Sequence, residues 1–229
     1  MYTDKILNKK IEIIPAILVK TRKILVEYIK KVERYVKRIH IDIMDNKFVP
    51  NLTLGTKELN ELPQNVAYEF HWMVYTPEKW IIKTKQKYPK AKQKYFHIVH
   101  IEVIDKNWEQ IKKAVKNVHG NIGLAINPET PIKKVFPYIR DVKKVLIMSV
   151  HPGFSGQKYI KKVEKKILIL RKKFPRLDIE VDGGINSKTV ISAIKSGANK
   201  IAVASAVFDT KNAKRAIEKL RKIIVQHTD

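Results

Sequence analysis

The chain reads as an α/β protein, a (β/α)8 (TIM) barrel formed as a single domain over residues 1–229. Three observations point there. Strand-like apolar runs alternate with helix-like segments along the whole length, eight of each. Such alternation is the mark of a parallel sheet, and eight repeats in a chain of this size suit a closed barrel better than an open doubly wound sheet. Polar residues gather at the carboxyl ends of the runs, where barrels of this kind carry their sites.

The elements follow in order. Residues 11–18 (IEIIPAIL) are long and apolar enough for a buried strand, and 20–36 place Ile24, Leu25, Tyr28, Ile29, Val32 and Val36 at helical spacing. Residues 38–44 alternate Ile39, Ile41 and Ile43 with His40, Asp42 and Met44, the period of a strand. A short helix is expected after Gly55. The third strand spans 66–74 and is followed by a helix at 77–88, with Pro77 in its first turn. The fourth spans 96–103, with a helix at 106–118; the fifth spans 122–126, with a short helix after Pro131. The sixth spans 144–150 and leads through a Gly-containing loop, 151–156, into a long helix at 157–174. The seventh spans 178–182, followed by Gly183-Gly184 and a helix at 187–196 that Gly197 can cap. The eighth spans 200–205, and a helix at 210–226 closes the chain. No linker or low-complexity tract interrupts the pattern.

Composition limits the function classes. The chain has no cysteine, which excludes disulfides and thiolate ligands and suits a cytoplasmic protein. No apolar run reaches the roughly 20 residues of a membrane helix, and the first residues lack the apolar core of a signal peptide. The net charge of +25 comes mostly from lysines spread over nearly every helical segment. A nucleic-acid binder concentrates charge on one face or interleaves it with aromatics, so specific nucleic-acid binding is not expected. A field of this sign does favour capture of an anionic substrate.

The strand ends supply the chemistry. His40 and Asp42 share a face, since side chains two apart on a strand do. Burying an imidazole beside a carboxylate is costly unless a metal or a polar substrate satisfies them. Other strand ends add Glu69, His71 and Met73, then His100 and Glu102, then Met148, Ser149 and His151, and finally Asp182 and Ser205. Two His and two Asp converging at one barrel end suit Zn²⁺, Mn²⁺ or Fe²⁺. Taken singly, each also reads as a hydrogen-bonded core residue or a turn residue.

The stretch IHIDIMDNKFVPNLTLG, residues 39–55, resembles the signature of the ribulose-phosphate 3-epimerase family, roughly H-x-D-V-M-D-G-H-F-V-P-N-x-T-x-G. HWMV at 71–74, MSVHPGFSGQ at 148–157, EVDGGI at 180–185 and AVASAVF at 202–208 are similar to further motifs of that family, in the same order, so the resemblance covers essentially the whole chain. It implies a divalent metal held by His40, Asp42, His71 and Asp182, with Asp42 and Asp182 as the acid/base pair on opposite faces of the substrate. It also implies that Met44, Met73 and Met148 surround the reacting carbon and that Gly153, Phe154, Ser155 and Gly156 form a lid. Gly183, Gly184, Ala204 and Ser205 match the phosphate site. The implied reaction is epimerisation at C3 of a ketose phosphate through an enediolate, most directly D-ribulose 5-phosphate to D-xylulose 5-phosphate, in a homo-oligomer of carbohydrate metabolism. The chain departs from the pattern at Ala16, Asn46, Lys47, Glu69, Trp72, His151, Ser155 and Ala204. Two alternatives therefore stay open: a hexulose-6-phosphate 3-epimerase, and an inactive barrel that binds a phosphorylated ligand or polyanion.

Overall fold

A computed structural model describes residues 10–84, 95–104 and 107–228. Eight parallel strands close into a barrel in sequence order. They are β1 (Glu12–Ile17), β2 (Arg38–Met44), β3 (Ala67–Met73), β4 (Phe96–His100), β5 (Asn121–Ile126), β6 (Lys144–Met148), β7 (Asp178–Asp182) and β8 (Lys200–Val203). β1 pairs with β8 through Ile14 and Ala202, which completes the ring and leaves no open edge.

The expected strands are all present, and β2 and β7 have the expected bounds. Strand residues of one parity, among them Ile39, Ile41, Ile43, Tyr68, Phe70 and Trp72, pack in the large core between strands and helices. Those of the other parity, His40, Asp42, Met44, Glu69, His71 and Met73, fill the barrel interior. The alternating pattern thus separates an apolar outer layer from a polar inner one.

The surrounding helices are α1 (Arg22–Val32), α2 (Pro77–Lys83), α3 (Trp108–Asn117), α4 (Glu164–Lys173), α5 (Val190–Lys195), α6 (Ser205–Phe208) and α7 (Ala213–Thr228). Thr21 caps α1, its hydroxyl accepting from the Ile24 N–H, and Leu25, Ile29 and Val32 form the buried stripe. Gly197 follows α5 at φ 114° and its N–H donates to Ile194 O, as expected of a helix terminus.

Several expectations are corrected. No helix follows Gly55; residues 56–61 form turns, held by the Arg22 guanidinium on the carbonyls of Glu58, Asn60 and Glu61. The short helix expected after Pro131 is present, but as a 3-10 helix, Ile132–Tyr138. The helix expected from residue 157 begins only at Glu164, after a 3-10 turn at Lys161–Val163. The stretch before it is held extended, Ile160 N–H donating to Ser149 O at 2.8 Å. β4 ends at His100, so Glu102 lies on a 3-10 turn, Ile101–Val103. β8 stops at Val203, and Ser205 starts α6, which the sequence pattern did not reveal. Residues 85–88 of one expected helix and residue 106 of another lie outside the described residues.

Candidate active site

A cleft opens at the carboxyl ends of the strands. Asp42, Met44, Met73, Met148 and Asp182 line it from the strands, Gly153–Gly156 from the loop after β6, Gly183 and Gly184 from the turn after β7, and Ala204 and Ser205 after β8. Of the residues singled out in the sequence, His40 and His71 are wholly buried behind Asp42, and Glu69, His100, Glu102, Ser149 and His151 also do not line the cleft; the others do. Among the departures from the family pattern, Ser155 and Ala204 line the cleft, whereas Ala16, Asn46, Lys47 and His151 do not.

The floor is built around one carboxylate. Asp42 Oδ1 lies 3.2 Å from His40 Nε2 and 2.9 Å from His71 Nδ1. Asp42 pairs in register with His71 across β2 and β3, and Met148 with Asp182 across β6 and β7, so the parallel ladders bring these side chains to one level. One ligand-capable atom from each of His40, Asp42, His71 and Asp182 falls within 4.8 Å of the others. Two imidazoles and two carboxylates at that spacing, all buried, fit a divalent cation.

The electrostatics divide the two aspartates. Burial pushes the Asp42 carboxyl up, but His40 and His71 more than offset it and hold the group well below the usual carboxylate range. Burial, and then the charge of Asp42, push Asp182 up to about 6. Burial, with some repulsion from His100 and His40, lowers His71 to about 4, so its ring is neutral near pH 7. Burial disfavours a charge on His40, but Asp42, Glu180 and Glu69 outweigh it and raise that ring well above its ordinary value. A carboxyl near neutrality beside an ionised one is the division that acid/base work requires.

A second polar layer lies beneath. His40 Nδ1 is 2.8 Å from Glu69 Oε1, and the Lys144 ammonium donates to Glu69 Oε2 at 2.5 Å and Glu180 Oε2 at 2.6 Å, all in the closed interior. Glu180 and Lys144 escaped notice in the sequence. The signal was there: Glu180 lies two residues before Asp182, and Lys144 four before Met148, so each shares a face with a cleft residue. On the other side, His71 Nε2 is 2.8 Å from His100 Nε2, and His100 Nδ1 is 3.0 Å from Glu102 Oε2.

The loops are tied together. Asn51 donates from Nδ2 to Gly153 O at 2.6 Å, and Gln157 donates from Nε2 to the carbonyls of His151 and Phe154. Phe154 stays 55% exposed at the tip, an apolar side chain over an open cleft. Asn46, where the family pattern has Gly, takes φ 56°, a conformation asparagine adopts more readily than most residues.

Comparison with known proteins identifies the family and the fold. The model of the ribulose-phosphate 3 epimerase family matches residues 12–208. A cytoplasmic ribulose-phosphate 3-epimerase of Oryza sativa subsp. japonica is 38% identical over 191 residues, covering 81% of this chain and 82% of the relative. The ribulose-phosphate 3-epimerase of Methanocaldococcus jannaschii is 34% identical over 211 residues, covering 87% and 85%. Among solved structures, a 3-hexulose-6-phosphate synthase superposes with a TM-score of 0.68 at 15% identity, over 93% of this chain and 99% of that one. KGPDC from Streptococcus mutans superposes with a TM-score of 0.71 at 10% identity, over 94% and 98%. At such identities these two structures speak for the barrel alone.

Proposed function

Because the chain belongs to the ribulose-phosphate 3-epimerase family and is accordingly an isomerase, we propose that it interconverts D-ribulose 5-phosphate and D-xylulose 5-phosphate, with Asp42 and Asp182 exchanging the roles of acid and base at C3. The carrying observation is that both carboxyls line one cleft with opposite pKa displacements.

The mechanism follows from what each side chain can do. Inverting a carbon next to a ketone requires removing its proton on one face and returning a proton on the other. The sugar lies between the aspartates with its C3 hydrogen toward one of them. That carboxylate takes the proton, leaving an enediolate, and the opposite carboxyl delivers its own proton to C3. The reverse reaction exchanges the two roles. His40, Asp42, His71 and Asp182 would hold a divalent metal, which when bound would stabilise the negative charge on the enediolate oxygens. Met44, Met73 and Met148 supply a polarisable apolar wall that offers the intermediate no competing acid. Gly153–Gly156, with Phe154, exclude water from above. The phosphate lies against the backbone N–H groups of Gly183, Gly184, Ala204 and Ser205, where two adjacent turns face the same cleft.

The retained sugar is a pentulose phosphate. Four of the departures that raised the hexulose alternative, Ala16, Asn46, Lys47 and His151, do not line the cleft. The decisive assay compares wild type and Asp182→Asn, both metal-loaded, on D-ribulose 5-phosphate. Turnover by wild type and a loss of roughly 10²–10⁴-fold in the variant are expected for removal of an acid/base group. An inert wild type would overturn the pentulose assignment, and solvent deuterium entering a hexulose phosphate instead would reassign the substrate.

A further inference from the structure

We propose that His100 and Glu102 are positioning residues for His71: they form a one-way chain of hydrogen bonds that fixes the tautomer of His71 and leaves its Nδ1 lone pair free for the metal. The inference rests on the metal centre proposed above and adds two residues to it.

The argument is an accounting of protons. His71 Nδ1 faces Asp42 at 2.9 Å, so this is the nitrogen that points into the centre. A nitrogen that ligates a metal carries no proton, so in a neutral ring the N–H must be on Nε2. That N–H points at His100 Nε2, 2.8 Å away, which must therefore accept. The His100 proton is then on Nδ1, and it is donated to Glu102 Oε2 at 3.0 Å. Glu102 can only accept, and its other oxygen receives the backbone N–H of Asn127 at 2.9 Å. Each link has one permitted direction, and the carboxylate anchors the far end. The two rings stack at 4.9 Å between centroids, and Phe48 packs on His100 at 4.7 Å, so neither ring is free to turn over. Such outer partners typically raise ligand basicity and hold ring orientation.

Glu102→Gln tests direction with almost no change of shape. The Asn127 N–H still requires an acceptor, so the glutamine oxygen must occupy that side and its NH₂ must face His100 Nδ1. His100 would then carry its proton on Nε2 and donate to His71, forcing the His71 proton onto Nδ1, where the metal lone pair is needed. Zn²⁺ affinity, measured by competition with a chelating dye, should fall roughly 10- to 100-fold, while the melting temperatures of the metal-free forms stay close. Introduced into a His100→Leu background, the same Glu102→Gln change should have no further effect, since the chain is already cut. Equal Zn²⁺ affinity in Glu102→Gln and wild type, or an undiminished effect without His100, would overturn the proposal. Should the variant not fold, ¹⁵N NMR of the Zn²⁺-loaded wild type gives the answer directly: His71 protonated on Nε2 and His100 on Nδ1 are expected, and the opposite tautomers refute the chain. If the wild type binds no Zn²⁺, the metal centre itself falls; if it binds and the variant matches it, only the chain does.

Discussion

The Lys144 ammonium donates to Glu69 Oε2 at 2.5 Å inside the closed barrel, one layer below the pair His40 and Asp42. Its second bond reaches Glu180 Oε2, so one cation serves two carboxylates that water does not reach. Burial alone would raise Glu69, but Lys144 and His40 hold it well below its ordinary range; Glu180 is pushed up by burial and by the Glu69 charge. Lys144→Met removes the nearest cation and leaves the two carboxyls only the His40 ring and, 3.8 Å from Glu69, Arg38, which should cost about 3–5 kcal/mol. Urea unfolding at pH 7 measures it. Adding Glu180→Gln to Lys144→Met should recover part of the loss, because one of the stranded charges is gone. An unchanged unfolding midpoint in Lys144→Met would contradict this account.

Asp182 makes the metal-free protein sensitive to pH. Its folded carboxyl is raised from 3.8 to about 6. A raised acid stabilises the fold while protonated, so its contribution is fully present below the unfolded value and is lost as pH rises through the folded one. Metal-free wild type should therefore lose stability between about pH 4 and pH 6 relative to Asp182→Asn, by at most about 3 kcal/mol. Metal binding runs the other way: cation and proton compete for the same oxygen, so affinity should climb as pH rises through about 6. Parallel melts of the two proteins in chelator, across this range, give the first result. Curves that keep a constant separation would sink it.

Much of the fold was legible because the two strand faces differ so plainly. β2 and β7 alternate apolar and polar residues and end at turn residues, and their bounds came out as expected. The helix expected after Gly55 failed for a tertiary reason: Arg22, far away in sequence, fixes the local carbonyls, and Glu61 takes φ 54°. The late start of α4 has a similar cause, since residues 157–160 are drawn against the turn after β7. At the site, the residues touching the cleft could be read from motifs at strand ends. Lys144 and Glu180 were overlooked although each shares a face with a cleft residue, because a charged strand residue looks solvated until ring closure places it inside.

Gly184 is where the two loops meet. It has φ 64°, and a Cβ there would lie 2.5 Å from the backbone N of Tyr159 and 3.0 Å from Gln157 O. Backbone cannot give way as a flexible side chain can. Gly184→Ala should therefore displace the loop after β6 together with the proposed phosphate contacts, and cost about 1–3 kcal/mol in backbone strain alone. Steady-state kinetics should show a KM for the sugar phosphate raised at least roughly tenfold, the effect of losing about 1.4 kcal/mol of binding. A variant with wild-type KM would remove the turn from the binding site.

Arg171 separates stability from activity. It projects from α4 at the amino-terminal end of the barrel, opposite the cleft. Its Nε donates to Gly197 O at 2.9 Å, Nη1 to Pro175 O and Leu177 O at 2.8 and 2.7 Å, and Nη2 to Asn199 Oδ1 at 2.8 Å. Asn199 in turn accepts from the Ile179 N–H and donates to Asp178 Oδ1, so one guanidinium joins α4 to the starts of β7 and β8. Lysine keeps the charge but replaces a planar fork with a single point, and it cannot reach four acceptors spread over two turns. Arg171→Lys should destabilise by about 2–4 kcal/mol as buried carbonyls lose their donors. In a chain of this length that lowers the melting temperature by roughly 5–15 °C. No atom of this cluster lines the cleft, so kcat and KM at 25 °C should stay within about twofold of wild type, as expected for the face of a barrel that carries stability and not chemistry. Loss of turnover in a variant that remains folded at the assay temperature would show that the two ends of the barrel are coupled.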